Sequence, residues 1–372
     1  MEDIHCGRRR QVEVEELIER EWVSYHISYH SPQDELLLGL ILPAMNDLWH
    51  ECQFSQFFFV RYNLGGPHVR LRLRPAPGAG DEIDNVLMSR SADFFRLQPS
   101  VGSLSENVIR ECNRRILAAS HEGIDIIYSD NSIMTASFEP EIDRYGGASL
   151  IESSLAFFSI SSAYALRLVE LRRGQAKARF LAYAMRALLS QALGFASNGE
   201  ELARLVTYAM PVKELKRSAL IDRADQEFYR QSMNYTQLVC EEVENARSRT
   251  DSLCLGEGIL TEASRRLKTC IRDADAPARW QVLSSQLHMT ANRLGIYGVE
   301  EIYLGRILQK ALERVSGSSP SMLRFLQEAS IERPRSSDSG LEDLVLLSLE
   351  DLFGGLSGES GLAPLVEREA SA

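Results

Sequence analysis

The spacing of apolar positions changes part-way along the chain. In the first third they recur at every second residue in short runs. Further on they recur at the three-to-four spacing of helices. Residues 22–30 (WVSYHISYH) alternate as a strand does. Ser31-Pro32-Gln33-Asp34 then supplies a capping serine, a proline suited to a first turn and an acid that complements the helix N-terminus, predicting a helix to about Cys52. The aromatic run FSQFFFVRYN (54–63) reads as a strand and Leu64-Gly65-Gly66-Pro67 as a reversal. HVRLRLR (68–74) returns with strict alternation. His68, Arg70, Arg72 and Arg74 share one face, and Val69, Leu71 and Leu73 the other, so the hairpin offers an apolar face to a core and a cationic face opposite.

PAPGAGD (75–81) reads as a loop, 82–120 as mainly helical and NSIMTASF (131–138) as a further strand. Residues 139–147 break the pattern, and Gly146-Gly147 suits a loop held in one conformation. From about 149 to 316 helix follows helix. Ser197 and Glu200 stand at capping-box spacing, and AKARFLAYAMRALLSQAL (176–193) is rich in strong helix formers. The predicted fold class is α+β: a mixed sheet bearing the arginine hairpin (21–148), then a mostly helical part (149–316), with residues 1–20 as an N-terminal extension. Beyond 331 the composition becomes linker-like (RPRSSDSG, 333–340) and then acidic and leucine-rich (LEDLVLLSLEDLFGG, 341–355). The stretch 331–372 is expected to be a mobile acidic tail, with a docking helix and mimicry of a leader peptide as the alternatives.

Composition narrows the function. A net charge of -11 over 372 residues argues against a general nucleic-acid binder, though it does not speak to where arginines converge. A hydrophobic content of 44% supports a sizeable core. No run approaches the roughly 18 apolar residues of a membrane helix, and the N-terminus has no apolar signal core, so no membrane partner and a cytoplasmic location are expected. Cys6, Cys52, Cys112, Cys240, Cys254 and Cys270 form no C-x-x-C pair and match no zinc spacing, so reduced, mostly buried thiols are expected.

Arg61, Arg70, Arg72 and Arg74 fall within fourteen residues. Such a face is either a solvated outer surface or an anion site, because guanidinium groups bind carboxylates through two parallel hydrogen bonds. Glu141, Asp143 and Arg144 beside the glycine pair fit, by themselves, a loop salt bridge. His288 in SSQLHMTANRLGI (284–296) shares a helical face with Ser284 and Asn292. A lone helical histidine is more often structural than catalytic, and Asn292 and Arg293 near the helix end fit capping roles.

Taken together, these segments resemble a known family. WVSYHISYH…DELLLGLILPAMNDL, FFFVRYNLGGPHVRLRLR, FEPEIDRYGG and LHMTANRLGI occur in this order in the C-terminal, glutamate-eliminating domain of class I lanthipeptide dehydratases and in thiopeptide-type bacteriocin biosynthesis proteins. The resemblance spans about 21–316. It implies a stand-alone lyase acting on a precursor peptide. A separate glutamyl-tRNA-dependent transfer enzyme esterifies Ser or Thr with glutamate, and this chain expels the glutamate to leave dehydroalanine or dehydrobutyrine. The positions matching the eliminating set are Arg70, Arg72, Glu141, Arg144 and His288, with Arg61, His68, Asn292 and Arg293 as substrate-binding candidates. No cofactor, metal or direct nucleic-acid contact is implied. The long interval 82–128, between the arginine strand and the RYGG loop, departs from the family pattern.

Two other readings stand beside elimination. Thiopeptide pyridine synthases of the same family join two dehydroalanines in a formal [4+2] aza-cycloaddition and lack much of the charged set. A non-catalytic module that binds a leader peptide or tethers a partner enzyme is the third. The discriminating expectation is geometric: Arg70, Arg72, Arg144 and His288 should line one cleft, with Arg61 or Arg74 at its edge or supporting it.

Overall fold

A computed structural model describes residues 13–102, 104–120, 126–175, 177–209, 218–248, 257–318 and 341–354. Four antiparallel strands form one sheet in the order β2-β3-β1-β4, with β1 at Val23–Ser28, β2 at Phe54–Tyr62, β3 at His68–Pro75 and β4 at Ser132–Ala136. β2 and β3 are the predicted hairpin, and β1 pairs along the other side of β3. The helices predicted beyond residue 149 follow, so the fold class is α+β. The first helix runs as Gln33–Leu36, a π turn at Leu37–Ile41, and Leu42–His50. Gly39 lies in that π turn. A Cβ there would stand 2.5 Å from a Phe94 ring carbon, so the close approach of the Gly80–Leu97 helix needs glycine.

The register decides which residues share a face. Opposite Arg72 stand Ser24 and Phe58, and opposite Arg70 stand His26 and Val60. The reverse face carries Tyr25, Ile27, Phe57, Phe59, Val69, Leu71 and Leu73, all fully buried in the main core. Each such side chain contributes about 1.5–3 kcal/mol relative to exposure. The arginine face has a smaller core of its own, in which Ile18, Trp22, Phe58, Phe138, Tyr145 and Phe158 pack together.

The Ile151–Leu171 helix runs through the main core. It is long and apolar enough to cross a membrane by composition, yet 83% of its apolar window is buried inside the protein. Its serines need no water there. Ser159 and Ser161 donate to carbonyls one turn back, and Ser162 Oγ accepts from Phe59 N at 3.2 Å.

Three expectations are corrected. Leu341–Gly354 is not a mobile tail but a helix docked on Ile151–Leu171, with Leu344, Leu349, Leu352 and Phe353 fully buried. Phe353 packs 6.0–6.1 Å from the Phe57 and Trp49 ring centres, so apolar burial outweighs the linker-like segment before it. The stretches 331–340 and 355–372 lie outside the described residues. The capping box sits one residue later than predicted: Asn198 accepts from Glu201 N, and the Glu201 carboxylate reaches back to Ser197 N. The thiols are mostly not buried: Cys52, Cys112 and Cys270 are exposed and Cys240 half-buried, all four free. Cys52 lies in a turn with φ 54° and Cys270 ends its helix, positions that face solvent.

Candidate active site

The arginine strand is graded along its length. At one end Arg74 is paired with Glu21 and, at 3.0 Å, with Glu152. In the middle Arg72 is 8% exposed, its guanidinium carbon 4.5 Å from the Phe138 ring centre and 5.5 Å from that of Phe58. Its buried Nε has no hydrogen-bond partner. Burial and the neighbouring Arg70 lower its pKa to about 9, against the opposing pull of Glu141, Tyr145 and Tyr62, so it stays a cation at neutral pH. Burying a cation without a hydrogen-bonded anion is costly, which suits a side chain arranged for an incoming carboxylate or oxyanion.

Arg70 lies with its guanidinium carbon 3.7 Å over the Tyr62 ring and donates from Nε to His68 Nε2 at 3.3 Å. Arginine can only donate, so His68 Nε2 accepts, and its Nδ1 donates the ring proton to the Gly66 carbonyl at 2.9 Å. Burial, together with Arg70, His26 and Arg72, outweighs the Gly66 bond and lowers the His68 pKa to about 3. His68 is therefore a fully buried, neutral prop for Arg70 and not a substrate ligand. The turn that aims it depends on Gly65 and Gly66, at φ +88° and +106°; a Cβ on Gly65 would enter the Tyr128 ring at 2.7 Å.

The loop at 139–147 converges on this strand. Ile142–Tyr145 forms a 3-10 turn closed by Gly146 at φ +93° and Gly147 at +81°. Arg144 Nη1 donates to Glu141 Oε2 at 2.8 Å and its Nε to Ser285 Oγ at 3.1 Å. Burial works against its charge, but Tyr145, Glu141 and Tyr62 outweigh it and raise its pKa. The same Glu141, Tyr145 and Tyr62 act on Arg72, so the two cations share one set of neighbours. Ser285, which Arg144 contacts, stands one helical turn before His288 on the same helix. His288 is 44% exposed, and its Nδ1 lies 3.0 Å from Glu301 Oε2.

Three of the predicted substrate-binding residues belong elsewhere. Arg61 pairs with Val69 in the register, which turns it to the core face, away from Arg70 and Arg72. There Nη1 donates to Asp34 at 2.6 Å and Nε to the Arg293 carbonyl at 3.0 Å. Asn292 grips the Arg61 backbone twice, accepting at Oδ1 from its N–H and donating from Nδ2 to its carbonyl, both at 2.9 Å. Arg293, fully buried, donates from Nε to the Phe59 carbonyl and from Nη1 to Ser161 Oγ. With Ser162 these side chains cover the outer edge of β2, which would otherwise expose unpaired backbone groups.

Sequence reading missed residues that line the site. His26 stands beside Arg70; burial, with Arg70 and Arg72, lowers its pKa to about 4. Tyr128, from the end of the unusual 82–128 interval, places its hydroxyl 3.1 Å from His26 Nδ1 and its ring 4.8 Å from that of His68. The alternation of WVSYHISYH carried a signal for His26, which shares a face with Ser24 and Ser28. Nothing local marked Tyr128 or Glu301. Among the described residues, no three His, Cys, Asp or Glu side chains gather as a metal-binding group.

Comparison with known proteins bears on the fold and the family. In fold the chain is similar to the pyridine synthase TbtD from thiomuracin biosynthesis, with a TM-score of 0.66 and 16% identity over 80% of this chain and 100% of that one. It is similar to the tRNA-dependent lantibiotic dehydratase MibB from Microbispora sp. 107891, with a TM-score of 0.52 and 20% identity over 80% of this chain but only 28% of MibB. TsrL matches with a TM-score of 0.52 and 14% identity over 84% of this chain and 99% of its own. No curated protein matches in sequence. The model of the family described as lantibiotic biosynthesis dehydratase C-terminal matches residues 22–312, and the chain belongs to that family of ribosomal peptide natural product biosynthesis.

Proposed function

We propose that this chain is a lyase that expels glutamate from glutamylated Ser or Thr of a precursor peptide, leaving dehydroalanine or dehydrobutyrine. The observation that carries the reading is the convergence of Arg72, buried and with an unpartnered Nε, on Arg144 and Arg70 around Tyr62 and Tyr145. Elimination removes a weakly acidic Cα proton and develops negative charge on the adjacent carbonyl oxygen. Arg72, buried, and Arg144, partly exposed, supply fixed positive charge, and such stabilisation is usually the largest catalytic effect. His288 takes the proton, the Cα=Cβ bond forms, and the Cβ–O bond breaks with its electron pair going to the departing carboxylate. That carboxylate needs little acid assistance. The second carboxylate of glutamate matches the remaining forked donor of Arg70. Glu141, bonded to Arg144, orients it. The glutamyl ester comes from a separate glutamyl-tRNA-dependent transfer enzyme, and the work of this chain is done on the peptide.

The test is direct. Given a glutamylated precursor, the purified protein should release free glutamate, the final peptide having lost one water per dehydrated residue relative to the unmodified peptide. A competent glutamylated precursor recovered intact would sink the proposal.

A second reading draws on the likeness to TbtD over the whole of that chain. Under it, the same residues act on two dehydroalanines of one peptide, which join in a formal [4+2] aza-cycloaddition. A bis-dehydroalanine peptide that cyclises and sheds its leader would establish it; unchanged linear peptide would exclude it.

A further inference from the structure

We infer that Glu301, held by Tyr208, is a positioning residue that fixes the ring tautomer and orientation of His288. The inference rests on the proton-transfer role given to His288 above. Glu301 is almost fully buried, and its two oxygens do different work. Oε1 accepts from the Gly298 N–H at 2.9 Å, capping the start of the Val299–Ser318 helix from its third position. Oε2 faces the other way, accepting from the Tyr208 hydroxyl at 2.6 Å and meeting His288 Nδ1 at 3.0 Å.

A cap alone uses only Oε1. A carboxylate receiving two donors already, in the first turn of a helix where the backbone favours negative charge, is an acceptor toward the ring. His288 Nδ1 therefore carries the proton, and Nε2 is left with its lone pair. Among the described residues Nε2 has no hydrogen-bond partner, and the ring is 44% exposed. Burial and Glu301 itself hold the Tyr208 pKa well above its usual value, so its hydroxyl keeps the proton that it donates. The ring is thus presented with its basic nitrogen outward and a fixed negative charge behind it, which stabilises the imidazolium formed when Nε2 takes a proton.

Glu301→Gln is the discriminating variant, because its amide oxygen still caps at Gly298 while the charge is lost. Long-range ¹⁵N–¹H spectra of histidine-labelled full-length protein, with the His288 signals assigned by their loss in His288→Ala, report the tautomer without any substrate. The expected result is an Nδ1–H tautomer in the natural protein, and a mixture or the Nε2–H form in Glu301→Gln. Glutamate release from glutamylated precursor should fall in kcat by about 10²–10⁴-fold in both His288→Ala and Glu301→Gln, with KM little changed. Tyr208→Phe, which leaves cap and charge in place, should lose a smaller factor, roughly tenfold. An unaltered tautomer and rate in Glu301→Gln, with His288→Ala inactive, would overturn the positioning role and leave elimination standing. Full activity in His288→Ala would remove both roles. If even the natural protein releases no glutamate, the elimination reading fails, and the spectra alone still decide whether Glu301 sets the ring.

Discussion

Arg61 Nη1 lies 2.6 Å from Asp34 Oδ1, on the opposite side of the sheet from Arg72. The two arginines are eleven positions apart on one hairpin and do unrelated work. Arg61 donates from Nη1 to a carboxylate and from Nε to the Arg293 carbonyl, with Nη2 left unpartnered, and holds the first helix and the end of the Ala276–Arg293 helix to β2. Arg72 carries an unpartnered Nε among aromatic rings.

Asp34→Ala should therefore act on stability. Removing one partner of a buried pair costs about 3–5 kcal/mol, and the lower end applies because Asp34 is partly exposed. Urea unfolding should show the midpoint falling. An unchanged midpoint would mean that the pair contributes nothing.

Arg72→Lys should act on rate. Lysine keeps the charge but loses the planar fork, so kcat for glutamate release should fall about 10²–10³-fold while the circular dichroism and unfolding midpoint stay close to those of the natural protein. Retained activity would remove Arg72 from the site.

Acid should weaken the fold through His68 and His26, which burial keeps neutral. His68 and His26 have folded pKa values of about 3 and about 4, below the unfolded value near 6.5. Between those limits the unfolded chain binds more protons, so the stability is complete above about pH 6.5 and is lost as pH falls toward 4. Each histidine contributes a slope of about 1.4 kcal/mol per pH unit. Unfolding midpoints measured from pH 7 to 5 should fall, and His26→Gln should flatten the slope. A flat profile in the natural protein would contradict the assignment.

Phe353→Ala should cost about 3–5 kcal/mol, the range for emptying a buried aromatic site. Phe353 packs against Trp49, Phe54 and Phe57 on the core side of β2. Differential scanning calorimetry would check this, and a melting temperature within a degree of the natural one would show the helix to be dispensable.

Strict alternation in HVRLRLR fixed the cationic and apolar faces of β3, because side chains on a strand point alternately and no distant contact can change that parity. The family motifs point to Glu141, Arg144 and His288 by sequence alone, and in the fold Arg144 meets Glu141 and Ser285 while His288 meets Glu301. The same parity, followed from Phe57 and Phe59 to Arg61, would have put Arg61 on the core face; nearness in sequence to Arg70 obscured it.

What alternation cannot supply is the partner across space. Whether an arginine is neutralised depends on carboxylates brought from elsewhere. Arg74 meets Glu21 and Glu152, Arg61 meets Asp34, and Arg72 is left to aromatic rings. Helical periodicity showed that Leu341–Gly354 had an apolar face, but only packing revealed that the face had somewhere to go. Tyr128 and Glu301 reach the site from segments with no local mark of function. A sequence fixes the order and facing of its side chains through local sterics, whereas charge pairing and burial are set by long-range contacts that exist only once the chain has closed on itself.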